Sequence, residues 1–439
     1  MHSCIIRAFH RSQLIWPSSL LHPRPKAALL VRDRFHGLRC YNTTKKEETT
    51  PLTKYLSNSI KIAGAMSLSQ FMKEVLINPL SGYYTKGDVF GEKGDFITSP
   101  EISQMFGELI GIWFVTQWHS LGKPNRTRIV ELGPGRGTLI DDMLRALSRF
   151  PDIYQTIQGL HLVEASTGLR KLQKNLLCGE ATQATTDEHG RIKEAVREDG
   201  IKVHWHNVFY EMPQEWSMVV AHELFDALPI YKFEKIEQDW RELMVDIDDD
   251  PNSPHHFRLV RAPASNKNSA FVSGPRFEKF KAGDRVEVSP DSWVLMRDIC
   301  EHLRTSGGSA LIIDYGEDFI QGDTFRAIRK HKIVHPMSLP GETDLSADVD
   351  FSALREAAGE IVSTHGPVTQ AHFLHSLGIQ ARLQMLLKHA RPGRAEALVS
   401  SYRRLVDPLA MGKTYKVMAV TPKDAPAPIA FDREQRADK

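Results

Sequence analysis

Arg128-Ile-Val-Glu-Leu-Gly-Pro-Gly-Arg-Gly-Thr-Leu139 reads as a strand, a turn and the start of a helix. Ile129, Val130 and Leu132 form a short buried strand, and a helix begins near Thr138. Gly133, Gly135 and Gly137 lie between them. Glycines in such a turn let backbone N–H groups approach a bound nucleotide-like ligand. The spacing is not the G-x-G-x-x-G of a dinucleotide site, and the Gly-Lys-Ser/Thr of a P-loop is absent. The pattern is Glu-x-Gly-x-Gly-x-Gly, with Glu131 at the strand end.

This pattern resembles the first motif of class I S-adenosylmethionine (AdoMet)-dependent methyltransferases. AdoMet has no phosphates. It offers an ammonium, a carboxylate and a ribose diol, which suit an acidic side chain and close backbone contacts.

The rest of the chain continues the rhythm. Second, third and fourth strands are expected at Leu160–Glu164, Val203–His206 and Ser217–Ala221, with a helix from Ser166 between the first two. Residues 179–200 are polar and read as a surface insert. Gly307–Gly316 is a buried fifth strand, and Tyr415–Val420 a late strand placed at the sheet edge. Alternating strands and helices imply an α/β fold with a mostly parallel sheet flanked by helices. Residues 230–290 break the rhythm with short strand-like runs and read as a β-rich insertion after the fourth strand. Helices are expected at Phe351–Ala358 and Phe373–Ala390.

Before the sheet, residues 47–122 form a helical arm with a glycine-rich loop, Gly87–Ser99. Ser67 is positioned to cap its second helix. Ser99 is the expected N-cap of the next, with Pro100 at the first helical position and the helix running to about Leu121. Residues 123–420 are the expected catalytic domain, and 421–439 a polar tail.

Of the 439 residues, 41% are hydrophobic and 25% charged, and the formal net charge is +2. No global field points to nucleic acid, and no apolar run is long enough to span a bilayer. Cys4, Cys40, Cys178 and Cys300 are scattered, which argues against a disulfide framework or structural zinc. His222-Glu223 is not a zinc-protease motif, because Asp226 stands where the second His belongs; no metal is expected. Residues 1–46 are rich in Arg and Lys with one acid, Asp33, the composition of a mitochondrial transit peptide.

Ligands on such sheets bind at the carboxyl ends of the strands. There the chain places Glu131 with its glycines, Glu164 to bind a ribose diol, Asn207 near an adenine, and Glu223 with Asp226. Methyl transfer needs no protein nucleophile; it needs proximity and orientation. If the acceptor is a guanidinium nitrogen, paired carboxylates hold the planar cation. Glu223 and Asp226 are three apart, as on one turn, and Asp95, Glu101 and Glu108 are further candidates.

Several stretches together are similar to the MidA-like mitochondrial protein arginine methyltransferases. They are Asn78–Tyr84, Gly94–Glu101 with Phe106-Gly-Glu108, Glu131–Thr138, Glu223–Pro229 and Ile313–Gly316. The resemblance covers about residues 55–420. It implies a class I methyltransferase fold, AdoMet and a mitochondrial matrix location. It also implies symmetric dimethylation of an arginine in the 49-kDa-type subunit of complex I, early in assembly. It carries Glu131, Gly133, Gly135, Gly137 and Glu164 as cofactor positions and suggests Glu223 and Asp226 near the substrate. The chain departs from the family pattern at His222, Glu317, Asp348 and Ala371. The expected activity is AdoMet-dependent protein arginine N-methylation. The rivals are a catalytically degenerate assembly chaperone and a methyltransferase for another substrate.

Overall fold

The computed structural model describes residues 46–85 and 98–431. Residues 1–45 of the expected transit peptide and Asp95, with most of the glycine-rich loop, lie outside these residues.

The central sheet is built on β1 (Thr127–Leu132), β2 (Ile157–Val163), β3 (Lys202–His206), β4 (Ser217–His222), β5 (Gly308–Glu317), β6 (Val362–Thr369) and β7 (Tyr415–Pro422). Their order across the sheet is β3-β2-β1-β4-β5-β7-β6. β3, β2, β1, β4 and β5 are parallel, β7 is antiparallel to β5, and β6 is antiparallel to β7. From β1 the chain builds outward through β2 and β3, then returns to β4 on the other side. That reversal opens a crevice at the carboxyl ends of β1 and β4.

The helices are α1 (Pro51–Ala63), α2 (Leu68–Ile77), α3 (Gln104–Ser120), α4 (Thr138–Leu147), α5 (Thr167–Cys178), α6 (Pro290–Ser306), α7 (Phe351–Ala358), α8 (Gln370–Ser376), α9 (Ile379–Leu387) and α10 (Pro392–Val406), besides shorter turns. Alternation along β1 divides the core. Val130 and Leu132 pack with Leu295 and Ile299 of α6 and Phe71 of α2. Ile129 packs with Leu109 and Trp113 of α3 and Met143 of α4. None of the described helices is long and apolar enough to cross a membrane.

Several local expectations are corrected. The polar stretch 179–200 is not merely a surface insert. Its hairpin, Ala184–Thr186 with Ile192–Val196, pairs antiparallel on β3 and extends the sheet. β7 is not an edge strand, because β6 covers it. The segment of β6 gives no strand signal, since Gly366 and Pro367 interrupt it and the register shifts between His365 and Val368. The helix expected over Phe373–Ala390 is two, α8 and α9, separated at Gly378, whose φ of 83° is left-handed.

The N-cap expected at Ser99 is Thr98, which forms a capping box with Glu101. That helix stops at Ile102, and Ser103 caps α3 as a separate helix. The expected tail also begins later, because β7 runs to Pro422 and the Phe431 side chain is buried against Phe373.

The β-rich insertion is observed. Tyr231–Ile236, Asp239–Ile247, Phe257–Arg261 and Arg285–Val288 form an antiparallel sheet, and Met66–Ser67 from the arm joins it at Asp239–Ile247. Ser67 caps α2 as expected, accepting a hydrogen bond from the Gln70 N–H at 3.1 Å.

α3 crosses α4 closely because α3 carries two glycines there. A Cβ on Gly107 would lie 2.5 Å from Asp142 Cβ, and one on Gly111 would lie 2.9 Å from the Met143 carbonyl oxygen. Gly107→Val should therefore lower the unfolding free energy by about 1–3 kcal/mol in spite of its better helix propensity. Urea denaturation measures this, and an unchanged midpoint would show that the helices can separate at little cost.

Candidate functional site

The turn after β1 takes the left-handed conformations that its glycines permit. Gly133, Gly135 and Gly137 have φ of 67°, 53° and 89°. The Gly133 N–H donates to the Val163 carbonyl at 3.1 Å, which ties the turn to the end of β2. Glu131 is buried, and its Oε2 has no hydrogen-bond partner. Burial pushes its carboxyl up to about 8, against a backbone hydrogen bond from Ile140. Glu131, Gly133 and Gly135 line a pocket together with Thr98, His222 and Glu223.

These features fit AdoMet. Glu131 presents a buried carboxylate oxygen to which an ammonium could donate, and the glycines leave the backbone open to close approach. Glu164 is fully buried at the end of β2 and accepts the Ser166 N–H at 2.8 Å through Oε1. Gln173, which the sequence reading missed, joins the two strand ends. Its Nε2 donates to the Gly135 carbonyl at 2.7 Å and reaches Glu164 Oε2 at 3.5 Å. Its Oε1 accepts the Trp205 indole N–H at 2.8 Å. A glutamine on α5 carries no local signal for that position. Asn207 is placed elsewhere: its Oδ1 accepts from Arg170 Nη2 at 2.8 Å, and it lines a separate depression beside Arg170 and His206.

Glu223 and Asp226 are brought together, though not by a turn of helix. Glu223 has a φ of 49°, and the chain bends sharply through Asp226. Asp314 at the end of β5 shapes this bend: its Oδ2 accepts the N–H groups of Phe225 and Asp226 at 3.0 and 3.2 Å. The carboxylates themselves are held by two tyrosines. Tyr415 Oη donates to Glu223 Oε1 at 2.9 Å, and Tyr315 Oη donates to Asp226 Oδ2. Burial and the nearby Asp226 push Glu223 up to about 8, opposed by Tyr415. Burial likewise raises Asp226 above the usual carboxylate range, opposed by Tyr315 and Arg326.

The arm closes over this bend, since the Ser99 backbone N–H bonds to Glu223. His222 lies between Phe106 and Tyr415, and burial lowers it to about 3, so it is neutral. Asp314, Tyr315 and Tyr415 were not expected as site residues. Their positions depend on strand pairing that no local spacing encodes.

The other candidates separate. Glu101 caps its own helix, lies 3.9 Å from Arg136 and lines the pocket. Glu108 does not line it. It accepts a bidentate pair of hydrogen bonds from Arg382 at 2.8 and 3.0 Å and another from Arg145 at 3.3 Å, so it ties α3 to α9 and α4. Two departures from the family pattern are paired here. Asp348 bridges Arg326 at 2.6 Å, and Glu317 bridges Lys416 at 3.1 Å.

A family model described as "Putative S-adenosyl-L-methionine-dependent methyltransferase" matches residues 109–368. The Rattus norvegicus protein arginine methyltransferase NDUFAF7, mitochondrial, is 40% identical over 391 residues, 88% of each chain. The Homo sapiens NDUFAF7 is 39% identical over 401 residues, 91% of this chain and 89% of that one. A crystal structure from Burkholderia thailandensis with bound S-adenosyl-homocysteine covers 87% of this chain and 94% of that one. It superposes with a TM-score of 0.69 at 26% identity.

The raised carboxyl of Glu131 has a consequence for stability. A folded-state value near 8, against 4.5 ordinarily, means that the fold favours the protonated acid. That contribution is full at acid pH and is lost as pH rises toward 8. Glu131→Gln keeps a neutral side chain, so its melting temperature should gain on the parent by roughly 2–4 °C between pH 5 and pH 8.5. Differential scanning fluorimetry checks this; a gap that does not change with pH would contradict the assignment. The chain belongs to the family of S-adenosyl-L-methionine-dependent methyltransferases that includes mitochondrial NDUFAF7.

Proposed function

We propose that this chain transfers methyl groups from AdoMet to a guanidinium nitrogen of an arginine in a protein substrate, in mitochondria. The observation that carries the reading is the Glu223–Asp226 pair beside the glycine pocket. Glu223 faces like charges, Asp226 and Glu101, and the imidazole nearest to it is neutral. A cationic substrate relieves that repulsion, and a neutral one does not. The names of the relatives support arginine and the mitochondrion.

AdoMet, when bound, supplies an electrophilic methyl on a sulfonium. Glu131 would take its ammonium and Glu164 its ribose diol, with Gly133, Gly135 and Gly137 giving backbone access. The Glu223 and Asp226 carboxylates accept the guanidinium N–H groups and fix the plane of the cation. The attacking nitrogen must shed a proton, and a carboxylate raised to about 8 is matched to receive it at physiological pH. Thr98 lines the pocket beside Glu223 and the Ser99 N–H bonds to its carboxylate, so the arm forms one wall of the site, and the β-rich insertion gives a polypeptide a surface to lie on.

The resemblance carries the reading further: symmetric dimethylation of an arginine in the 49-kDa-type subunit of complex I, in the matrix, supporting its assembly. Residues 1–46 would serve as the transit peptide, 47–122 as the arm, and the segment from 123 through β7 to Phe431 as the catalytic domain.

Incubation of the purified protein with AdoMet and the recombinant 49-kDa-type subunit tests this, with mass spectrometry as the readout. Dimethylarginine is expected. AdoMet binding without methylarginine would sink the arginine reading. Glu223→Gln should lower kcat/KM by roughly 100-fold or more. Activity of the parent should fall as pH is lowered below about 8, because protonated Glu223 can neither hold the cation nor take its proton. In a second test, titration calorimetry should show Gly135→Val losing AdoMet, because the branched side chain enters the backbone approach at a φ of 53°. Full affinity in that variant would remove the glycine turn from the cofactor site.

A further inference from the structure

Tyr315 and Tyr415 stand directly opposite each other where β5 and β7 pair antiparallel. Their rings meet edge to face, with centroids 5.5 Å apart and planes at 84°. The two hydroxyls serve different acids: Tyr415 donates to Glu223 Oε1 at 2.9 Å, and Tyr315 donates to Asp226 Oδ2. The outer side of the Tyr315 ring is covered by the Arg326 guanidinium, 4.6 Å from its centroid, which Asp348 holds in turn. Asp226 Oδ1 remains buried without a hydrogen-bond partner. Each acid thus spends an oxygen on a tyrosine, and the tyrosines are packed as one unit.

We propose that Tyr315 and Tyr415 act together as positioning residues that lock Glu223 and Asp226 into a single receptor for the substrate guanidinium. This rests on the arginine reading above and adds to it the residues that give the receptor its shape. Two carboxylates on rotatable side chains would each sample several rotamers and lose that freedom when the cation bound. Anchoring both to one tyrosine pair removes the loss beforehand and couples their positions. Phe at either site keeps the ring packing and removes only the hydroxyl.

The hydroxyls also act on charge. Besides Tyr415, Glu223 faces Asp226, Glu101, His222 and Asp314, and it receives the Ser99 N–H. Besides Tyr315, Asp226 faces Arg326, Asp348, Asp314 and Tyr84. A phenol that donates to a carboxylate favours its ionised form, so removing the hydroxyl makes the acid harder to ionise.

The test uses the full protein, AdoMet and the recombinant 49-kDa-type subunit, with Tyr315→Phe and Tyr415→Phe beside the parent. Each substitution should lower kcat/KM by roughly 10- to 100-fold, the effect of losing a hydrogen bond to a charged group. Each should move the acid limb of the kcat/KM profile to higher pH by about one unit. AdoMet affinity should stay at the parental value, and the melting temperature should fall by only about 2–4 °C, the cost of one lost buried hydrogen bond. In double-mutant cycles Tyr415→Phe should add little to Glu223→Gln and, because the tyrosines pack as one unit, less than its full effect to Asp226→Asn, with the reverse for Tyr315→Phe; full additivity of Tyr315→Phe and Tyr415→Phe would show two independent anchors and overturn the single receptor.

Phe variants with parental kcat/KM and an unmoved pH profile would overturn the proposal while leaving arginine methylation standing. Loss of AdoMet binding along with activity would also overturn it, in favour of a general structural role. A parent that binds AdoMet and yields no methylarginine would overturn the arginine reading and the tyrosine receptor with it.

Discussion

Burial of acids without a matching cation governs this molecule. Glu131, Glu223, Asp226 and Asp314 lie at the carboxyl ends of three adjacent parallel strands or in the turns that follow them. Among the described residues none of the four forms a close ion pair with a lysine or arginine, although Arg326 acts on Asp226 from beyond Tyr315; the one imidazole near them, His222, is neutral. Taking a carboxylate out of water without a partner is expensive, and the raised carboxyls record that expense. Natural folds retain such groups where a ligand supplies the missing charge. An ammonium at Glu131 and a guanidinium at Glu223 and Asp226 would supply it at neighbouring points in one crevice.

The rest of the architecture holds these acids in place. Asp314 bends the chain after β4, and the two tyrosines fix the carboxylates that the bend presents. The N-terminal arm closes the crevice because it is pinned at several points. Thr50 Oγ1 donates to the Pro340 carbonyl at 2.9 Å, Tyr84 Oη donates to Asp344 Oδ1 at 2.9 Å, and Ser338 Oγ donates to Glu47 Oε1 at 2.5 Å. The segment between β5 and α7 is therefore a clamp as well as a connection. It grips the arm, and through Arg326 it braces Tyr315. The departures at Glu317 and Asp348 belong to this clamp and its neighbourhood: each has a cationic partner, so they are accommodated substitutions and leave no acid unpaired.

Where the sequence reading went wrong, the reason is mostly a partner far away along the chain. β7 was expected at the edge because the segment of β6 has no alternating pattern and contains Gly366-Pro367. Pairing with β7 makes it a strand, and that pairing is invisible locally. Glu108 matched a motif containing candidate acids, yet Arg382, 274 residues away, claims its carboxylate. The helix boundary at Thr98 moved by one residue because the capping box with Glu101 outweighs the pairing of Ser99 with Pro100.

Local chemistry was enough for the glycine turn after β1. Three glycines at positive φ, an apolar strand before them and an amphipathic helix after them are short-range requirements, so Arg128–Leu139 declared the fold class and the position of Glu131 by itself. The alternation of strands and helices did the same for the parallel sheet. Only the tertiary structure decided which acids share the crevice and what holds them. Tyr315 lies 89 residues from Asp226, and Tyr415 lies 192 residues from Glu223. Strand order in the sheet makes each pair neighbours. Spacing along a chain encodes turns and faces, but contacts across a sheet depend on where distant strands pair, and that is set by the packing of the whole core.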